Sequence, residues 1–144
     1  MRSILAVVSV LAVSTGVLSG CASYQSDEVQ PVPADRLLAY QQPGKDSVKV
    51  DVTRDVGYIG GGCYVALTID HEVAARIGKG ESASFHVPVG KHVVGIIGDK
   101  DGEGLCSKAM LRRELLVPLE PGGNNAFRIV SDNRTGFDIK PAVE

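Results

Sequence analysis

The chain has 144 residues, which suits one domain, and its formal net charge of −2 offers no excess of basic residues for a nucleic-acid surface. It contains no Trp and three Phe, so a core has to be built from Val, Ile, Leu and Ala. Its 17 Gly and 7 Pro favour short strands joined by turns over long helices.

The first 20 residues have the layout of a signal peptide. Arg2 supplies a positive charge, and residues 4–17 form an apolar run of Ile, Leu, Val and Ala with small polar interruptions. A helix that spans a bilayer needs about 20 apolar residues, so this run is too short to serve as one. We therefore expect residues 1–20 to be removed from the mature protein.

The apolar run ends in Leu18-Ser19-Gly20-Cys21, which resembles the bacterial lipobox at every position. The resemblance implies cleavage before Cys21 and lipidation of that residue, whereas a merely secreted protein would carry Cys21 incidentally. Three acyl chains would hold the protein firmly, because two chains already make a stable anchor. In the enterobacterial sorting rule for this class, Asp after the cysteine retains the protein in the inner membrane, and here Ala22 and Ser23 follow. The expected location is therefore the periplasmic face of the outer membrane.

The segment after the cysteine has the composition of a linker. Residues 22–32 are rich in Ser, Gln, Asp, Glu and Pro and have little apolar surface to bury, which is typical of a flexible tether. Residues 33–40 would suit two helical turns with an apolar side, and breaker residues follow them. We interpret residues 21–45 as a lipidated tether with a possible short helix, followed by a folded domain at residues 46–144.

From residue 47 onward, short apolar segments alternate with turn residues. Residues 47–54 alternate strictly, which places Val48, Val50 and Val52 on one face of a half-buried strand. Further predicted strands cover residues 63–70, 73–77, 82–87, 91–97, 114–119, 126–131 and 136–140. Seven or eight short strands with regular turns predict an all-β fold, a small antiparallel β-sandwich or barrel.

The cysteine count predicts one disulfide. Lipidation would use Cys21 and leave Cys63 and Cys106, an even number in an oxidising compartment, where pairing is expected. A metal site would need further ligands near these two residues, and a thiol nucleophile would need a neighbouring His. We therefore predict a structural disulfide between Cys63 and Cys106, with the metal and thiol interpretations as rivals.

Residues 65–94 carry a distinctive order of segments. An apolar strand ends in Asp70, a short return strand and a second alternating strand follow, and Pro88-Val89-Gly90-Lys91-His92 precedes an apolar strand. This order resembles the PEGA-type β modules and related bacterial lipoproteins of unknown function. The resemblance implies a small β-sandwich that displays or binds at surfaces without catalysis. The sequence departs from the pattern at His71, where the family usually has Gly.

The histidines do not complete a known catalytic or metal motif. His71-Glu72 begins like a zinc-protease motif, but Ala75 stands where the second His is required. His86 and His92 flank a turn and could face each other in a hairpin, but they would supply only half of a metal site, because such a site needs at least three protein ligands.

The acidic loop and the glycine-rich loop do not complete a calcium-binding or a phosphate-binding motif. Asp99, Asp101 and Glu103 match the first half of a calcium loop, but Met110 occupies the place of the bidentate acid. The glycines at 60–62 lack the Lys and Ser or Thr of a phosphate loop and precede a strand. We therefore predict no catalytic residue, no metal ligand and no cofactor.

Together these features predict a non-catalytic binding or structural module of the cell envelope. Its expected partners are the membrane, through the lipid anchor, and an envelope protein, but not nucleic acid. The alternatives are an inhibitor of a cell-wall-degrading enzyme and an adaptor subunit of an envelope complex. An inhibitor would need an exposed loop with a polar group for the enzyme's active site, and residues 57–62 or 98–104 are the candidates.

Overall fold

The alternating segments of the sequence form strands, and the computed structural model describes residues 22–143 as nine β-strands and two 3-10 turns without an α-helix. The strands are β1 (Gln30–Pro31), β2 (Ser47–Arg54), β3 (Val65–Ile69), β4 (Glu72–Ile77), β5 (Glu81–Pro88), β6 (Gly90–Gly98), β7 (Arg112–Leu119), β8 (Ala126–Asp132) and β9 (Gly136–Pro141). The 3-10 turns cover Ala34–Arg36 and Cys106–Lys108. The predicted all-β fold class is confirmed.

The strands form two sheets. The larger sheet has the order β1-β5-β2-β8-β9 and the smaller has the order β4-β3-β6-β7. Most neighbours are antiparallel, but β1 with β5 and β2 with β8 are parallel. Each sheet keeps its own two edge strands, so the architecture is an open sandwich, and the predicted alternative of a closed barrel is wrong.

The core lies between the sheets and is built from the side chains that the alternation predicted. Val50 and Val52 of β2 are fully buried, as are Phe85 of β5 and Ile96 of β6. All five residues of β3, which lies between β4 and β6 in its sheet, are buried, including Ala66 and Thr68 on its outer face. Alternation in the sequence therefore located the core. It predicted burial of only every second residue of β3, whereas all five are buried.

The turn between β3 and β4 places His71 in a backbone conformation that favours Gly. Ile69 pairs with Glu72, so Asp70 and His71 form a two-residue hairpin turn. Both have positive φ angles, of 50° and 68°. This is the mirror-image turn geometry that Gly tolerates best, and His71 adopts it with a side chain.

Residues 22–45 lie against the sandwich, which differs from the flexible tether that their composition predicted. Tyr24 forms a bridge with Val56, β1 pairs with the edge of β5, and Leu37 forms a bridge with Ala75 of β4. Only the 3-10 turn at Ala34–Arg36 forms, in place of two helical turns. The physical reason is that edge strands present unpaired backbone groups, and this segment satisfies those of β4 and β5.

The predicted signal peptide and the predicted lipidation site, Cys21, lie outside the described residues. Within residues 22–143, no helix has the length and apolar character needed to cross a membrane.

Candidate functional site at the disulfide end of the sandwich

Four loops converge at the end of the sandwich where β2, β4, β6 and β8 finish. They are residues 55–64, 78–80, 99–111 and 133–135. We call this the disulfide end. The opposite end, which carries the other strand connections and the last described residues, is called the far end.

The predicted disulfide is present and connects two of these loops. Cys63 and Cys106 are bonded to each other, with their Cα atoms 5.4 Å apart and a sequence separation of 43. The prediction is confirmed, and the rival metal and thiol interpretations are wrong for this pair because both sulfurs are used in the bond. The disulfide thereby brings together the glycine-rich loop and the acidic loop, which are the two loops proposed above for an inhibitor.

A cleft of about 520 Å³ lies beside the disulfide, between these two loops. The Tyr64 ring forms one wall and lies close to two guanidinium groups. The Arg36 carbon Cζ is 4.1 Å from the ring centre, and that of Arg76 is 5.2 Å away. Both distances suit cation–π attraction, so the ring is held in place although 39% of Tyr64 is exposed.

The acidic loop is arranged differently from a calcium loop. Asp99 is buried, and its two carboxylate oxygens accept hydrogen bonds from Nε and Nη2 of Arg76, each at 2.8 Å. These hydrogen bonds raise the pKa of the Arg76 guanidinium above its ordinary value. Asp101 and Glu103 remain exposed. Among residues 22–143 there is no group of three or more His, Cys, Asp or Glu side chains that could hold a metal ion.

Arg54 is buried and holds the glycine-rich loop in place through hydrogen bonds to the loop backbone. Its guanidinium donates hydrogen bonds to the carbonyl oxygens of Cys63 and Ile77, both at 2.8 Å, and of Gly60 at 3.3 Å. It also lies over the Phe137 ring, 5.0 Å from the ring centre. Burial lowers the pKa of Arg54 to about 10, so it stays charged at neutral pH.

The burial of Arg54 and the need for Gly at position 60 both have a counterpart in the sequence. Arg54 continues the inward-facing positions of β2, two residues after Val52, so the alternation could have indicated its burial. Gly60 has a φ of +62°, and a Cβ there would lie 2.6 Å from the Phe137 ring. The loop therefore needs Gly at this position both for its backbone and for space.

The chain that follows Cys21 joins the sandwich at this end. The Ser23 N–H donates to the Ser131 carbonyl oxygen at 2.7 Å, and the Ser131 N–H donates to Ser23 Oγ at 2.8 Å. Ser23 Oγ also donates to the buried carboxylate of Asp55, which is paired with Arg128. No pattern in the sequence indicated that residue 23 would be fixed in this way.

A second contact holds the N-terminal segment at the edge of β5. Arg36 donates two hydrogen bonds to Glu81, both at 2.7 Å, and Glu81 also accepts the Gly78 N–H at 2.6 Å. The hydrogen bonds from Arg36 are the largest effect on the Glu81 carboxyl, and its pKa lies below the ordinary value although burial opposes this. Arg36 thus joins the N-terminal segment, the edge of β5 and the Tyr64 ring.

The histidines lie elsewhere, and the hairpin in which His86 and His92 could have faced each other does not form. His86 belongs to β5 of the larger sheet and His92 to β6 of the smaller one, because the turn between these strands crosses from one sheet to the other. His92 instead has Asp70 at 2.6 Å from Nδ1 and the Pro88 carbonyl oxygen at 2.7 Å from Nε2. Burial alone would raise the pKa of Asp70, but hydrogen bonds from His92 and from the backbone lower it overall.

The far end carries a second open cleft, of about 580 Å³, beside the turn at residues 122–125. The side-chain amide of Asn124 donates to the Ala142 carbonyl oxygen at 2.8 Å, and that of Asn125 donates to the Glu120 carbonyl oxygen at 2.9 Å. Lys49 and Asp51 line the other side. The sequence indicated only a turn here, and the cleft forms because the turn lies beside β2 and β9.

The fold and these contacts define a disulfide-bonded β-sandwich whose N-terminal segment is fastened to its edge strands. Comparison with protein-family models, with curated proteins and with solved structures found no match to this chain.

Proposed function

We propose that the protein is an outer-membrane lipoprotein that faces the periplasm and acts as a non-catalytic binding or structural module of the cell envelope. The observation that carries the proposal is the Cys63–Cys106 disulfide in a β-sandwich that follows a lipobox-like sequence. Disulfides persist in oxidising compartments such as the periplasm, so the bond agrees with export. The resemblance of residues 65–94 to PEGA-type modules supports the same proposal.

The charge pairs at the disulfide end support a scaffold function. Asp99 is engaged by Arg76, Glu81 by Arg36 and Asp55 by Arg128, and all three pairs join separate elements of the fold. Charged groups used in this way hold loops and strands in position. A rigid surface of this kind suits binding, since less conformational entropy is lost when a partner is engaged.

An inhibitor of a cell-wall-degrading enzyme, or an adaptor in an envelope complex, is the second candidate. It is favoured by the disulfide that joins residues 57–62 to the acidic loop, because the two loops form one cleft with a fixed Tyr64. Such preorganised loops are what a tight inhibitor requires.

The anchor is tested by Cys21→Ser, with Ser19→Ala as the matched control because Ala also fits the lipobox at that position. We expect Cys21→Ser to abolish labelling with radioactive palmitate and to release the protein from the outer-membrane fraction of a density gradient. The control should keep both properties. Unchanged labelling of Cys21→Ser, or recovery of the wild type in the inner membrane, would contradict the proposal.

The partner is tested by photo-crosslinking in intact cells, with the crosslinker at residue 102 in the disulfide-end cleft or at residue 123 in the far-end turn. A single non-hydrolytic envelope protein would support an adaptor. A cell-wall hydrolase whose activity falls on addition of the pure protein would identify an inhibitor. Diffuse crosslinking from both positions would favour a purely structural module.

A further inference from the structure

The position of Ser23 restricts where a lipid on Cys21 can be. Ser23 is held to Ser131 and Asp55 by three hydrogen bonds at the disulfide end. Cys21 is two residues away in sequence, and two residues of extended chain span at most about 7 Å. The Cα atom of a lipidated Cys21 would therefore lie within about 7 Å of that of Ser23, which places the attachment point of the lipid at the disulfide end.

The same end carries the most exposed large apolar side chains of the described residues. Met110 is 99% exposed, Tyr58 is 93% exposed and Leu105 is 84% exposed, and all three belong to the loops of the disulfide end. Tyr24, next to the anchor, is 65% exposed. Large apolar side chains exposed at one end of a protein can form an interaction site, and Tyr is suited to the boundary between water and lipid.

Charge at this end is mixed. In the four loops and residues 22–29, the exposed cations are Lys79, Lys100, Lys108 and Arg134, and the exposed carboxylates are Asp27, Glu28, Asp101 and Glu103. Equal numbers of both signs give little net attraction to an anionic surface. Contact with a membrane would therefore depend on the apolar and aromatic side chains.

We propose that the disulfide end rests directly on the membrane surface, with Tyr58, Leu105 and Met110 inserted at the level of the lipid headgroups. The proposal rests on the proposed lipidation of Cys21. The anchor supplies proximity, and the exposed side chains supply a fixed orientation. The loops at 57–62 and 99–104 then face lipid, which is incompatible with the inhibitor candidate that uses them, and the far end, with its cleft beside residues 122–125, faces the periplasm and its proteins.

The absence of Trp from the chain allows a direct test with single Trp probes. Met110→Trp and Tyr58→Trp report on the disulfide end, and Val143→Trp, at a position 81% exposed beside the far-end cleft, is the matched control. The lipidated protein is reconstituted into phosphatidylethanolamine vesicles with and without phosphatidylglycerol. We expect the first two probes to shift their emission to shorter wavelength and to be quenched by lipids brominated near the headgroup. The control should do neither, and salt should have little effect.

A second preparation separates this proposal from the lipidation that it assumes. The chain from Cys21 onward, with its disulfide formed, is coupled through the Cys21 thiol to a maleimide lipid in the same vesicles. This anchors the protein whether or not cells acylate Cys21. Failure of palmitate labelling in cells would contradict the lipidation alone, while the coupled protein still tests the orientation.

The orientation is overturned if all three probes respond equally, or if none responds in the coupled protein. It is also overturned if the Met110→Trp and Tyr58→Trp probes respond only after solubilised envelope proteins are added, because their contact would then be with a protein partner. A strong dependence on phosphatidylglycerol would contradict the apolar basis of the contact.

Discussion

The backbone of His71 has a strained conformation that Gly would adopt without strain. Its φ of 68° lies in the left-handed region, which costs a residue with a side chain about 1–2 kcal/mol. Gly avoids this cost but loses about 0.5–1 kcal/mol through its greater freedom in the unfolded chain. We expect His71→Gly to be more stable than His71→Ala by about 0.5–1 kcal/mol, measured by urea unfolding. The two variants are matched because both lose the contact between His71 and Glu114. Equal stability of the two, or a more stable His71→Ala, would show that the turn imposes no such strain.

The edge of β5 depends on the contact between Arg36 and Glu81. Because the pKa of Glu81 is lowered in the folded protein, its contribution to stability is present above its unfolded pKa, near 4.5, and is lost as the pH falls through the lower folded value. Glu81→Gln should reduce the free energy of unfolding by about 2 kcal/mol at pH 7, as expected for hydrogen bonds to a charged group. It should also flatten the fall in stability below pH 4.5. Hydrogen exchange at the Gln30 and Val32 amides, which bond to the backbone around β5, should become faster.

Glu103→Gln is the control for this prediction, because Glu103 is exposed and forms no ion pair within residues 22–143. It should leave the unfolding free energy, its pH dependence and the exchange of both amides close to those of the wild type. If Glu81→Gln behaves like the control, the N-terminal segment is held by its backbone pairing alone.

The whole molecule is stabilised by the link between the loops at residues 55–64 and 99–111. The Cys63–Cys106 disulfide spans 43 residues, for which loop-closure entropy gives about 4 kcal/mol. Reduction should therefore lower the urea midpoint strongly without changing the fold class seen by circular dichroism. The Cys63→Ser, Cys106→Ser double variant should unfold at the same midpoint with and without a reductant. A wild type that is insensitive to reductant would mean that the disulfide adds no stability to the folded state.

Much of the fold was accessible from local patterns. The strict alternation at Val48, Val50 and Val52 predicted β2 and its buried face, since side chains of a strand point to opposite sides in turn. The pairing of Cys63 with Cys106 followed from cysteine parity and the expected compartment. The alternation depends on residues that are neighbours in the chain, and the cysteine pairing depends on composition. Both can be read directly from the sequence.

The contacts that define the disulfide end depend on which distant segments meet, and only the tertiary structure decides that. Ser23 and Ser131 are 108 residues apart, and Arg128 and Asp55 are 73 residues apart. His86 and His92 are close in sequence but lie in different sheets, so proximity along the chain was misleading there. A polar segment such as residues 22–32 has few apolar groups to bury, yet the open edge of β5 orders it through backbone hydrogen bonds. Every residue but proline carries the same backbone donor and acceptor, so composition does not reveal where such a segment will pair.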